Sequence, residues 1–265
     1  MPFADINGQR IHFEDTGGGG VPLVLAHGFL MDSTMFDPQV AALRDEWRVI
    51  TWDQRGHGQT VSDGQRFSFW DSAADLAGLL DHLDIRQAVV GGMSQGGFIA
   101  LRLALKRRDR VEALVLIDSQ AGLELPEKVS DYETMAQVWS SDGPSEALGQ
   151  TVAAVILGRY EKSDAWVATW QQRYATGVEA VYRCLMDRDD VTSRLREIAV
   201  PVLVIHGDDD IAIPMERAET LAAGLPAAQL VVIKGGSHAS NLTQPDQVNE
   251  AIRKFLREVK GAGGV

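Results

Sequence analysis

The 265-residue chain has a single cysteine, Cys184, and no stretch approaching the roughly 18 uninterrupted apolar residues that a membrane helix requires. A lone cysteine cannot close an internal disulfide, which favours a reducing compartment. Met1 to Phe13 include Asp5, Asn7, Gly8 and Arg10, so the basic start and apolar run of a secretory signal are missing. Positive charge is scarce: 25 Lys plus Arg against 37 Asp plus Glu give a formal net charge of −12. That balance does not suit nucleic-acid phosphates, which need a basic face, nor anionic membranes. The expectation is a cytoplasmic protein with no nucleic-acid and no membrane partner. Metal-site spacing is also lacking. The six histidines are scattered, no His-x-x-x-His pair occurs, and one cysteine offers no thiolate cluster. Gly91 to Gly97 lacks the Gly-Lys-Ser/Thr of a phosphate loop, and the Asp208 to Asp210 run is shorter than a calcium loop. No metal and no cofactor are expected.

What is present is a series of short, near-continuous apolar runs: Val21 to Ala26, Trp47 to Trp52, Ala88 to Val90 into Gly91, Ala113 to Ile117, Val202 to Ile205, and Leu230 to Ile233. Such runs predict strands covered on both faces, as in a parallel sheet. Helical spacing lies between and after them, over Asp71 to Leu83, Gln95 to Leu105 and Val248 to Val259. Ahead of the first run, Ile6-Asn7-Gly8-Gln9 predicts a hairpin turn. The fold class is therefore α/β: a hairpin, then a mostly parallel sheet wrapped by helices.

The alternation stops between about 120 and 198. All four tyrosines (Tyr132, Tyr160, Tyr174, Tyr182) and three of six tryptophans fall there, and none of the eight phenylalanines or six histidines does. This stretch is expected to be a helical cap over the strand ends, inserted into a core of residues 1–119 and 199–265.

Gly92-Met93-Ser94-Gln95-Gly96 stands between a strand run and a helical pattern. A serine that attacks a carbonyl must project from a very tight strand-to-helix turn, with no room for side chains two residues to either side. Serine needs a base to take its proton. His238, in the loop after the last strand run, is the preferred histidine, since ligands meet open α/β sheets beyond the strands' C-terminal ends. The base needs an acid to fix its tautomer. Asp208, Asp209 and Asp210 follow one strand run, and Asp118 follows another. A developing oxyanion needs N–H donors: Gln95, after the serine, and Phe29, in His27-Gly28-Phe29. His27 is expected to anchor that loop.

These residues give a chain that resembles an α/β-hydrolase with a helical cap, from Asp5 to Val259. His27-Gly28-Phe29 matches the family's oxyanion loop, Gly92 to Gly96 its nucleophile turn, and Gly207, Asp210 and Pro214 its acid loop. The resemblance thus singles out Asp210. His238 matches the histidine loop, with Ser237 where many relatives have glycine. The pattern looks most like the 3-oxoadipate enol-lactonase and small carboxylesterase branch. The implied activity is hydrolysis of a small-molecule ester or lactone through Ser94, His238 and Asp210. Carbon–carbon bond hydrolysis, peracid formation and acyl transfer would use the same three residues, and a non-catalytic ligand-binding receptor is the alternative of another class. A homo-oligomer is compatible with the chain. Trp139, Trp166 and Trp170 are expected to wall an apolar pocket above Ser94.

Overall fold

The computed structural model describes residues 2–61, 63–173 and 178–262; Tyr174 lies outside them. Eight described strands make one sheet: β1 (Phe3–Ile6), β2 (Gln9–Asp15), β3 (Pro22–Ala26), β4 (Arg48–Trp52), β5 (Ala88–Met93), β6 (Val111–Ile117), β7 (Val202–Gly207) and β8 (Ala228–Ile233). Their lateral order is β1-β2-β4-β3-β5-β6-β7-β8. β1 and β2 run antiparallel to their neighbours, and β3 to β8 are mutually parallel. Around the sheet lie α1 (Asp37–Leu43), α2 (Phe69–His82), α3 (Gln95–Lys106), α8 (Met215–Gly224), α9 (Ser240–Thr243) and α10 (Pro245–Ala262). Between β6 and β7 the chain forms α4 (Pro126–Asp142), α5 (Glu146–Leu157), α6 (Ser163–Arg173) and α7 (Val178–Met186).

Local chemistry sets the boundaries. Asn7 and Gly8 both take positive φ, 50° and 78°, the requirement of a two-residue hairpin turn whose twist matches the strands. Ser68 caps α2: its side chain accepts from the Asp71 N–H while the Asp71 carboxylate accepts from the Ser68 N–H. α10 turns Val248, Ile252, Phe255, Leu256 and Val259 inward and leaves Lys254, Arg257 and Glu258 outside.

The apolar runs find cover as expected in the sheet centre. β3, β5, β6 and β7 bury every residue except Pro22 and Glu112. β8 departs from the expectation. It is the last strand of the sheet, and Leu230 and Val232 are 36% and 50% exposed. An apolar run records β propensity but not position within a sheet, so an edge strand reads like a central one.

Two features of this order place the site. The chain passes from β3 outward to β4, then crosses back to β5 on the other side of β3. The loops after β3 and β5 therefore diverge, opening a crevice at the strands' C-terminal ends. The register also levels three adjacent strand ends. Met93 pairs with Ile117 and Ile117 with Ile205, so Ser94, Asp118 and His206 each follow directly on one row of the sheet.

Candidate active site

Ser94 sits between β5 and α3 with φ 52° and ψ −114°, a left-handed backbone that an L-residue holds only at a cost of about 1–3 kcal/mol. The glycines of the turn are a steric requirement. A Cβ on Gly96 would strike the Ala26 carbonyl, and one on Gly92 would come within 2.7 Å of that same oxygen and 2.6 Å of the Gly96 carbonyl oxygen. The turn is pinned by Ser94 N–H donating to the Ile117 carbonyl (2.8 Å) and by the Ser119 hydroxyl donating to the Ser94 carbonyl (2.8 Å).

Three side chains far apart in sequence meet at this rim. The Ser94 Oγ lies 3.0 Å from His238 Nε2, and His238 Nδ1 lies 2.9 Å from Asp210 Oδ2. The other Asp210 oxygen accepts N–H bonds from Ala212 (2.8 Å) and Ile213 (2.9 Å), which fixes the carboxylate. Burial opposes a charged His238, but Asp210, with Asp118 and Glu124 adding, outweighs it and raises the imidazole pKa above its ordinary value. Burial likewise opposes ionised Asp210, and His238 with the Ile213 N–H reverses that, holding the carboxyl below its usual range. Asp118, the rival acid from β6, does not touch His238. Its two oxygens accept from the Gly207 N–H and the Ser240 N–H, each at 2.9 Å.

Phe29 follows Gly28 in the loop after β3 and Gln95 follows Ser94 at the start of α3, and no described group accepts from either N–H. The loop carrying Phe29 is held by His27. Its Nδ1 donates to the Gly28 carbonyl (2.9 Å), so Nε2 accepts from the Gln54 N–H (3.0 Å). The Gln54 side chain returns a bond to the His27 carbonyl (2.6 Å) and accepts from the Gln95 side chain (2.8 Å). Burial lowers the pKa of both His27 and neighbouring His57, so this support is neutral. His27 is thus an anchor, as its position predicts.

Above Ser94 lies a cavity of about 470 Å³. Leu30, Met93 and Phe98 from the core, Met135 and Val138 from α4, Val152 and Ile156 from α5, and Leu185 from α7 make most of its wall. Glu124, Lys128 and Tyr132 add polar groups. Glu124 pairs with buried Arg188 at 3.4 Å, and Lys128 donates to the Ile211 and Ala212 carbonyls beside Asp210 (2.8 and 2.6 Å). The sequence reading missed these three. Only Tyr132 carried a signal, through the clustering of tyrosines in the cap.

The tryptophan expectation is corrected: none of Trp139, Trp166 and Trp170 lines this cavity. Trp139 and Trp170 are fully buried against each other, ring centroids 6.1 Å apart, and Trp170 Nε1 donates to the Leu30 carbonyl (2.7 Å). Trp166 packs on Trp170 and borders a separate hollow with Asp32, Asp37 and Tyr160. Large amphipathic rings serve a cap's interior as well as its lining, and composition does not separate the two. Trp139→Ala should therefore lower stability by about 3–5 kcal/mol in urea unfolding, the cost of a large buried deletion, rather than redirect substrate preference.

Other reactive groups are committed elsewhere. Burial pushes the Cys184 thiol well above its ordinary pKa, so it is no competing nucleophile. Asp118, His206 and Asp210 bring ligand-type atoms within 4.8 Å of one another. Most of their atoms have partners: Asp118 accepts from two backbone N–H groups, Asp210 holds His238, and His206 Nε2 bonds the Ile213 carbonyl (2.9 Å), while the buried His206 Nδ1 has no hydrogen-bond partner. Among the described residues no helix is long and apolar enough to cross a membrane.

Known proteins share this architecture. A family model described as alpha/beta hydrolase fold matches residues 21–245. A non-heme haloperoxidase of Rhodococcus erythropolis is 31% identical, over 97% of this chain and 99% of its own. A thermophilic esterase from Thermogutta terrifontis superposes with a TM-score of 0.87 at 33% identity, covering 95% of this chain and 94% of that one. The enol-lactonase of Burkholderia xenovorans superposes with a TM-score of 0.84 at 27% identity, covering 97% and 100%. By sequence, sheet order and fold, the chain belongs to the α/β hydrolase family.

Proposed function

We propose that this protein is a serine hydrolase that cleaves a carboxylic ester or lactone through an acyl-enzyme. The observation that carries the reading is the unbroken contact from Ser94 Oγ to His238 to Asp210, 3.0 and 2.9 Å, at the floor of a mostly apolar cavity. Similarity to an esterase and an enol-lactonase supports the substrate class.

In this reading His238 Nε2 takes the Ser94 proton as Oγ attacks the carbonyl carbon. The negative charge that develops on the carbonyl oxygen is met by the N–H groups of Phe29 and Gln95, which the His27–Gln54–Gln95 network holds in place. His238 then returns the proton to the leaving alkoxide, and the ester bond breaks. Water, deprotonated by His238, attacks the acyl-enzyme and releases the acid and free Ser94. Asp210 keeps the His238 proton on Nδ1, leaving Nε2 to act as base. A lactone follows the same steps, its alkoxide remaining tethered to the product.

The similarity to a haloperoxidase favours one second reading, in which hydrogen peroxide replaces water at the acyl-enzyme and a peracid results. Product analysis with and without peroxide separates the two. A fluorophosphonate tests the shared step: labelling of Ser94 supports the nucleophile, and failure to label folded protein favours a binding protein without turnover.

The raised His238 pKa makes a pH prediction. The base must be neutral, so kcat/KM should fall as pH drops through the His238 value, which lies above the ordinary histidine value of about 6.5. A pH–rate profile with an acid-limb midpoint below that value would contradict the assigned surroundings.

A further inference from the structure

We propose that Asp118 is a positioning residue, whose single carboxylate clasps the acid loop and the histidine loop from beneath while its negative charge joins that of Asp210 in holding His238 ready. The proposal rests on the Ser94–His238–Asp210 reading above.

The geometry is unusually specific. Asp118 is fully buried and takes φ 46°, a left-handed backbone that no glycine relieves. Its own N–H donates to the Ile205 carbonyl (2.8 Å), which fixes it on the strand row between Ser94 and His206. From there one oxygen accepts from Gly207, the last residue of β7 and three before Asp210. The other accepts from Ser240, the first residue of α9 and two after His238. One side chain thus spans two loops more than thirty residues apart in sequence, each carrying one partner of the Ser94 relay. Both contacts need an acceptor, and the ionised carboxylate is the stronger one at each oxygen, since a protonated oxygen accepts more weakly.

The charges around it are few. Asp210, from the acid loop, repels Asp118; His238, from the histidine loop, attracts it. His206, from β7, faces it with Nδ1 at 3.9 Å. Because His206 Nε2 donates to the Ile213 carbonyl, Nδ1 presents a lone pair, and burial keeps that imidazole neutral. His206 therefore leaves the Asp118 charge uncancelled. Glu124, from the start of the cap, adds to the field at His238. When His238 becomes an imidazolium during acyl transfer, Asp210 touches it and the Asp118 charge adds to the field that favours it. Burial and Asp210 push Asp118 up to about 7, while His238, Ser240 and Gly207 favour its ionised form.

The primary test is Asp118→Asn, which keeps the shape, removes the charge and puts an amide donor against one of the two N–H groups. Plateau kcat should fall about tenfold or more, the scale on which loosened catalytic geometry acts. The acid limb of kcat/KM should also move to lower pH, because His238 loses a carboxylate that favours its protonated form. A role in folding alone would lower the active fraction without moving the limb, so an unmoved limb overturns the proposal while the triad reading stands. A second measurement uses the unaltered protein and needs no turnover. In NMR, the Asp118 13Cγ signal and the Gly207 and Ser240 amide protons should titrate with one shared midpoint near 7. Amides that titrate apart from that carboxyl overturn the clasp, whatever the fate of the esterase reading.

Discussion

Ser94→Ala is expected to reduce hydrolysis of a short p-nitrophenyl ester by at least about 10⁴-fold while leaving the fold intact. In the proposed mechanism the Ser94 oxygen forms the acyl bond, and removing such a nucleophile leaves only what oxyanion donors and binding supply. The backbone at Ser94 is determined by Gly92, Gly96 and the Ile117 carbonyl rather than by its side chain, so alanine can occupy the same turn. Circular dichroism and urea unfolding check the fold, and a burst-free assay checks the chemistry. Activity within a few-fold of the parent would remove Ser94 from the reaction.

Asp210→Asn should be nearly as severe, a loss of about 10⁴-fold in kcat, the scale seen when a triad acid becomes an amide. Asp210 Oδ1 is committed to the Ala212 and Ile213 N–H groups and must stay an oxygen. The amide nitrogen is therefore forced into the Oδ2 position, where it donates to His238 Nδ1. The imidazole then carries its proton on Nε2, pointing at Ser94, and cannot act as base. Asp118→Asn should cost far less, because Asp118 lies behind the relay and does not touch the imidazole. A larger loss from Asp118 would transfer the acid role to it.

Much of this arrangement is legible in the residue order. Six apolar runs mark six strands, and the Asn7-Gly8 turn marks the hairpin, because each is a local matter of burial or backbone conformation. The Ser94 turn is legible for the same reason, as its glycines are demanded by atoms a few ångströms away. The acid is a different case. Asp118 and Asp210 both follow buried strands, and the residues alone leave both open until the Gly207, Asp210 and Pro214 match to the family's acid loop singles out Asp210. That the Asp118 oxygens are taken by the Gly207 and Ser240 N–H groups is a long-range fact no local pattern carries. The cap tryptophans fail similarly: their rings suit an interior or a pocket equally, and packing among α4, α6 and the Leu30 carbonyl decides. Glu124 and Lys128 escaped notice because isolated charged residues look like solvated surface until the fold turns them toward the cavity.

The Ile156 carbonyl near the end of α5 accepts from the Ala239 N–H at 2.8 Å and from the Ser237 hydroxyl at 3.3 Å, on either side of His238. The Ser237 hydroxyl thus adds a second tether to the same oxygen. Protein engineers who exchange the α4–α7 segment between homologues would be editing the mooring of His238 along with the wall of the cavity above Ser94. A transplanted cap must end its second helix with a carbonyl at this spot, or the chimera inherits a new recognition surface above a histidine left adrift.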